Sequence, residues 1–239
     1  MRSSGIRVLI AAPLKQEPKI FHEYQDALDR LIIPDGVTVD RFFVVNDCDE
    51  VIPEIRNAEY IVINTGDRYD KAVNDHIWTS DNLEKMPRLR NACIQRVRDG
   101  GYDYLFSIDT DLVLQPETLA TLLDADKDIV SELFWTNGWC NAWMYDQSSG
   151  MDAAWVNRGL YHVGMTGACT LIKAAVFDAG VNYDRIPNIK NALWGEDRWF
   201  CIRAACHGFE MWADSHFPPE HLFTEQHYQD YMRRRGDDA

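Results

Sequence analysis

Apolar residues come along this chain in short runs that stop abruptly at proline, glycine or acidic positions. Ile6-Arg7-Val8-Leu9-Ile10-Ala11-Ala12 reads as a buried strand stopped by Pro13. Residues 20–31 then space their apolar side chains at helical intervals. Val39-Asp40-Arg41-Phe42-Phe43-Val44-Val45 reads as a second strand, ending at Asn46-Asp47. Glu59-Tyr60-Ile61-Val62-Ile63-Asn64 reads as a third, ending at Thr65-Gly66-Asp67. A helix over about 87–99 places Leu89, Ala92, Cys93 and Val97 on one face, with Pro87 in its first turn and Gly100-Gly101 closing it. Further on, 128–134, 168–172 and 208–214 read as strands. Residues 195–207 read as a helix with Trp199, Ile202 and Cys206 on one stripe, ended by Gly208. The last dozen residues, rich in Arg and Asp, read as a loosely held tail.

Strands that alternate with helices and are apolar on both faces predict a mostly parallel sheet covered by helices, in two lobes sharing one continuous sheet. Ligands of such sheets sit beyond the carboxyl ends of the strands. Pro13, Asp47, Thr65 and Asp109 all fall at such ends.

One run carries most of the chemical information: Tyr104-Leu105-Phe106-Ser107-Ile108-Asp109-Thr110-Asp111-Leu112-Val113-Leu114. Strand alternation points Asp109 and Asp111 the same way if the chain stays extended. Two like charges at the end of an apolar strand repel each other and resist dehydration. A hard divalent cation such as Mg²⁺ or Mn²⁺ offsets them; the alternative is a polar turn after a strand.

Composition narrows the setting. With 239 residues, 46% hydrophobic and 12% aromatic, the chain can bury a full α/β core. No apolar run approaches the ~20 residues of a spanning helix. The N-terminus leads straight into a strand without a signal-peptide pattern, so a soluble, cytoplasmic protein is expected. A net charge of −14 disfavours passive adhesion to nucleic acid or anionic membrane, although Arg88, Arg90, Arg96 and Arg98 leave room for a local basic groove. The six cysteines form no C-x-x-C pair and read as reduced core residues, not a zinc site or disulfide framework.

The second half supplies further acids and two histidines. Trp194-Gly195-Glu196-Asp197 opens the helix over 195–207, where carboxylates are favoured by the helix dipole. Gly195 also permits close approach, and a carboxylate there is placed to accept a proton from a hydroxyl nucleophile. His216 and His221 follow, with Pro218 and Pro219 stiffening the backbone before His221. Such an imidazole either packs or completes an Asp-bound metal site. The aromatics Phe134, Trp135, Trp139, Trp143, Tyr145 and Trp155, with Asn137, Asn141 and Asp146 among them, read either as core of the smaller lobe or as stacking platforms for a sugar or base.

Taken in order, these features resemble the GT-A class of nucleotide-sugar glycosyltransferases, nearest to the family-two group. The resemblance runs from Ile6 to about Phe223. It is carried by Ala12-Pro13, Asn46-Asp47, Arg90-Asn91, the Asp109-Thr110-Asp111 run, Gly164-Met165-Thr166-Gly167-Ala168, Gly195-Glu196-Asp197, and Asp214 followed by His221. It implies an α/β GT-A fold in which a Rossmann-like nucleotide-binding half (about 1–112) joins a smaller acceptor-binding half (about 113–225) through one continuous mixed sheet, with a tail over 226–239.

The resemblance also implies roles. Asp111 binds a Mn²⁺ or Mg²⁺ ion directly, and Asp109 meets the ribose or the metal through water. His221 is the protein's other metal ligand, with His216 the poorer fit. Pro13, Asn46, Asp47 and Thr110 belong to the donor pocket, Asp47 at the nucleobase. Arg90 contacts the donor's phosphates or nucleoside. Asp197 is the base of an inverting transfer, and Glu196 supports it. The expected donor is a nucleoside-diphosphate sugar, UDP-linked. The acceptor is a hydroxyl of unassigned class: glycan, lipid-linked, peptide, small molecule, or a hydroxymethylated pyrimidine in phage-type DNA.

Two departures bear on this. The second strand ends Asn46-Asp47-Cys48-Asp49 where Asp-Asp-x-Ser is commoner, which leaves the base contact open among Asn46, Asp47 and Asp49. The Gln-x-x-Arg-Trp signature and membrane helices of processive synthases are missing, so transfer of a single sugar is expected. A different class, a sugar-phosphate nucleotidyltransferase, would carry a Gly-rich basic loop after the first strand; Ala12-Pro13-Leu14-Lys15-Gln16 has no glycine.

Overall fold

The computed structural model describes residues 5–66, 80–143, 157–189 and 195–237. Its first half runs β1 (Ile6–Leu14), α1 (Pro18–Asp29), β2 (Val37–Val45), β3 (Glu59–Val62), α2 (Ser80–Gly100), β4 (Tyr104–Ile108) and β5 (Leu112–Val113). After α3 (Thr118–Asp124) and β6 (Ile129–Glu132) come five short strands: β7 (Trp135–Thr136), β8 (Trp139–Cys140), β9 (Ala142–Trp143), β10 (Leu160–Val163) and β11 (Met165–Thr166). The remaining elements are β12 (Cys169–Lys173), α4 (Ala174–Asp178), α5 (Asp197–Cys206), β13 (Met211–Asp214), β14 (Glu220–His221) and α6 (Glu225–Asp237).

Eight strands form one sheet in the order β10-β13-β6-β12-β4-β1-β2-β3. Strands β4, β1, β2 and β3 are mutually parallel, as are β6 and β13. Between these two groups β12 runs antiparallel to both β4 and β6, and β10 is antiparallel at the far edge. The expected continuous sheet is therefore mixed. Because β12 reverses once against each neighbour, β4, β6 and β13 all end on the same rim. One apolar layer sits on each face. Leu89, Cys93 and Val97 of α2, Phe177 of α4 and Phe200 of α5 fill one side. Phe21, Tyr24 and Leu28 of α1 and Leu119 of α3 fill the other.

Several elements differ from their sequence reading for identifiable reasons. Pro13 does not stop β1. The Asn46 N–H donates to Leu14 O at 2.9 Å, so Leu14 faces β2 and Pro13, one residue earlier, faces the β4 side. Pairing with β4 has already ended at Ala11–Ser107, so the missing N–H breaks no ladder. Pro87 lies in the interior of α2 and not in its first turn. Strand β3 is the sheet edge, and its Tyr60, Ile61 and Val62 are exposed instead of apolar on two buried faces.

The buried stripe of α5 is Trp199, Phe200, Cys201 and Ala204, whereas Cys206 is exposed. Phe200 stacks on Tyr183 at 4.7 Å between ring centres, which turns that side of the helix inward. The loosely held tail is also corrected, since residues 225–237 form α6. Its Glu225 and Arg235 pair with Lys19 and Glu23 of α1, and Arg234 reaches Glu220 at 2.8 Å. Among the described residues no helix is long and apolar enough to cross a membrane.

Candidate active site

The extended geometry expected for Asp109 and Asp111 is replaced by a turn. Strand β4 ends at Ile108, and the Asp109 carbonyl accepts the Leu112 N–H at 3.2 Å. The turn sends the two carboxylates to different partners, Asp109 to an arginine and Asp111 to a histidine.

Asp109 faces Arg90, which rises from α2 and is 3% exposed. One guanidinium nitrogen donates to Asp109 Oδ1 at 2.9 Å, a second to Ser107 Oγ at 3.3 Å, and Nε to the Glu196 carboxylate. Glu196 is as buried as Arg90, at 1%. Burial alone would weaken the charged guanidinium, but Asp109, Glu196 and Asp197 hold its pKa well above its usual value. For Asp109, burial, with help from Asp111 and Glu196, raises the carboxyl's pKa despite the arginine.

Asp197 opens α5, directly after Gly195 (φ 65°) and the N-cap Glu196. Its carboxyl reaches over Gly167. A Cβ built on Gly167 would lie 2.2 Å from Asp197 Oδ2, so only glycine leaves room for this approach. The loop and α5 are joined by a second contact. Thr166 N–H donates to Cys201 Sγ at 3.5 Å, and the thiol donates to Thr166 O at 3.2 Å. The same loop holds the β4 terminus, because Asp109 N–H donates to Ala168 O at 2.9 Å. Burial pushes the Asp197 pKa up to about 8; Glu196 and Asp109 push the same way and Arg90 opposes them.

Asp111 meets His221 through strand pairing. Strand β14 runs antiparallel to β5 with His221 opposite Leu112, and Leu222 N–H donates to Asp111 O at 2.8 Å. This register sets His221 Nε2 3.2 Å from Asp111 Oδ2. The other ring nitrogen, Nδ1, bonds the Thr136 hydroxyl, and Phe134 packs edge-on against the ring at 5.0 Å. Burial would lower the imidazole pKa, but the Asp111 carboxylate outweighs it and raises it. His216 is turned elsewhere, with Nδ1 2.8 Å from Asp214 Oδ2.

Among the described residues no group of three or more His, Cys, Asp or Glu is gathered closely enough to cage a metal ion. Asp111 and His221 nevertheless offer a carboxylate oxygen and an imidazole nitrogen side by side, a donor pair that suits Mn²⁺. Further ligands would have to come from a bound anion or water.

No family model matches the chain. Three solved structures resemble it over most of its length. A fragment of TarS from S. aureus superposes with a TM-score of 0.56 at 13% identity, covering 89% of this chain and 60% of the fragment. A longer TarS structure gives 0.54 at 14% identity, covering 89% and 36%. The mannosyltransferase PcManGT from Pyrobaculum calidifontis, solved with GDP-Man and Mn²⁺, gives 0.54 at 12% identity, covering 98% and 61%. The chain has the GT-A fold. It spans about three fifths or less of the length of these proteins.

On this GT-A sheet, Pro13, Asn46 and Asp47 lie at the neighbouring ends of β1 and β2. Asn46 Oδ1 accepts both the N–H and the hydroxyl of Thr65, at 3.1 and 2.9 Å. Asp47, in the left-handed region at φ 50°, accepts from Thr65 and Gly66 and donates its N–H to Asn64 Oδ1 at 3.0 Å. Both side chains therefore bind the β3 exit to the β2 exit. Thr110 is buried in the turn between the two acids.

The aromatic run is split between core and surface. Phe134 is core, Trp143 packs against the core, and Trp135 and Trp139 stand 38% and 68% exposed on the β7–β8 hairpin. Asp67, Tyr145, Asp146, Trp155 and Trp194 lie outside the described residues. Sequence reasoning missed Ser107, Thr136 and Tyr183, which support Arg90 and His221. Each is an ordinary residue whose partner is distant in sequence, so no local pattern marks it.

Proposed function

We propose that this chain is a metal-dependent glycosyltransferase that moves one sugar from a nucleoside-diphosphate donor to a hydroxyl acceptor, with inversion. The observation that carries the reading is the convergence of the Asp111–His221 pair, the Arg90-held Asp109 and the loop-held Asp197 on one rim of a GT-A sheet. PcManGT, of the same fold, was solved with GDP-Man and Mn²⁺, which supports a nucleotide sugar and a divalent ion as ligands here.

Asp111 and His221 would hold the ion, and Thr136 at Nδ1 keeps His221 Nε2 directed at it. A divalent ion there offsets the charge that develops on the departing diphosphate. Arg90 fixes the rotamer of Asp109, so its second oxygen is free to meet the donor ribose. Pro13, Asn46, Asp47 and Thr110 complete the donor side. The acceptor oxygen forms its bond to the anomeric carbon as the bond to the diphosphate oxygen breaks. The hydroxyl proton passes to the Asp197 carboxylate. A base with a pKa near 8 is well matched to that transfer at neutral pH. Glu196, locked to Arg90, supports the base without taking the proton.

The test is incubation with UDP- and GDP-sugars and Mn²⁺, alone and with glycan, lipid-linked, peptide, small-molecule, plain DNA and hydroxymethylated DNA acceptors. Release of nucleoside diphosphate and a glycosylated acceptor is expected. No release and no metal-dependent donor binding would sink the reading. Release of pyrophosphate from a nucleoside triphosphate and a sugar phosphate would assign a nucleotidyltransferase instead.

A further inference from the structure

At the carboxyl ends of β6 and β13 lie two acids that the transfer chemistry does not use. Glu132 and Asp214 are register partners in these parallel strands, so their side chains leave the same face side by side. They are 0% and 2% exposed. Each holds a backbone N–H of the segment that follows β13. Glu132 Oε1 accepts from Phe217 at 2.9 Å, and Asp214 Oδ1 accepts from His216 at 2.8 Å. The His216 ring closes over Asp214 through Nδ1.

Glu132 Oε2 has no donor among the described residues, and its neighbour is the Asp214 carboxyl. Two carboxylates cannot both ionise in so dry a place. The pair therefore favours a single negative charge, with Glu132 the acid biased toward its neutral form. Burial first, then the Asp214 charge, push the Glu132 pKa up to about 9, against the pull of the Phe217 N–H. The other titratable groups facing the pair are the Cys169 thiol of β12 and the His216 imidazole.

The two N–H groups so held belong to the start of the bridge Ser215-His216-Phe217-Pro218-Pro219-Glu220, which ends at His221. Two prolines allow little slack in that bridge, so a fixed entry determines where its far end arrives. We propose that the buried Glu132–Asp214 pair is the positioning element of His221, clamping the entry of the bridge so that the imidazole is delivered beside Asp111. Its consequence for metal uptake rests on the reading of Asp111 and His221 as the metal-holding pair; the positioning itself does not.

The experiment is amide exchange by mass spectrometry on the full chain, without metal, combined with Mn²⁺ titration. In Glu132→Leu, exchange over 216–222 should quicken about tenfold, the loss of roughly one buried hydrogen bond, while β1 and β4 keep their protection. Mn²⁺ affinity should fall by a similar factor. Glu132→Gln presents a neutral acceptor to Phe217 and a donor to Asp214, and should restore both readouts. Phe217→Pro removes the donated N–H together with the ring, and should loosen the same segment if Glu132→Leu fails to fold. Unchanged exchange in Glu132→Leu or, failing that, in Phe217→Pro overturns the proposal, as does a Gln variant as loose as Leu. Wild-type protein that takes up no Mn²⁺ defeats the metal reading alone, and the exchange result still decides the positioning.

Discussion

Gly167→Ala puts a methyl group where Asp197 already stands. The new Cβ would lie 2.2 Å from Asp197 Oδ2, 2.5 Å from its Cγ and 3.1 Å from its Cβ. Comfortable contact needs about 3.5 Å, so the carboxyl must retreat by more than ~1 Å or the 164–168 loop must lift. The loop is not free to lift, because Thr166 is bonded to Cys201 and Ala168 O holds the Asp109 N–H. The retreat therefore falls mainly on Asp197. Overpacking of this kind destabilises by about 1–3 kcal/mol, a fall of roughly 2–10 °C in Tm for a chain this long. Misplacing a reacting group by about 1 Å lowers turnover on the order of a hundredfold. Donor affinity should change by no more than a few-fold, since the Asp111–His221 pair lies on another turn. The assay is steady-state transfer with donor affinity measured separately by calorimetry, alongside a melting curve. A Gly167→Ala enzyme that turns over at the wild-type rate would refute both the contact and the role given to Asp197.

Further outcomes follow from the same site. Asp197→Asn should leave donor binding intact and lower transfer by about 10²–10⁴-fold, read as a loss in kcat with little change in donor KM. The wild-type kcat/KM should climb about tenfold per pH unit up to about 8, where the Asp197 carboxyl ionises. The sign for stability is opposite: the folded chain holds this proton from the ordinary value of 3.8 up to about 8, whereas the unfolded chain has lost it. Asp197's contribution to stability is thus full below about 4 and is lost as pH rises through about 8, and urea midpoints of Asp197→Asn should lack that slope. Arg90→Met should destabilise by about 3–5 kcal/mol by urea denaturation, because it strands Glu196 in a dry site; the Asp109 side chain, 37% exposed, is partly screened by water and adds less. Asp111→Asn should abolish Mn²⁺-dependent donor binding in calorimetry while leaving the melting temperature within a few degrees.

Much of this protein could be read from local pattern. Runs such as residues 8–12 and 42–45 are apolar because both of their faces are covered, and that marks a strand wherever it occurs. The ends of those runs marked the rim of the candidate site; Asp109 and Asp111 stood out because carboxylates ending an apolar strand need a reason, and Glu196 and Asp197 because they open a helix just after Gly195. What local pattern could not supply was direction and partnership. The turn at Asp109–Asp111 separates two side chains that alternation would have aligned, and the β5 that follows it pairs with β14, joining residues 112 and 221. Arg90 answers Asp109 and Glu196 from 19 and 106 residues away in sequence. Pro13 continues a strand because β4 pairing has already ended beside it, and α6 settles where its Tyr228 and Tyr231 pack against the core and its charges meet Lys19 and Glu23 of α1. Composition and spacing determine which residues must be buried or solvated, since that depends on each side chain alone. Which buried charge faces which depends on strand order and register, and only the folded chain decides those.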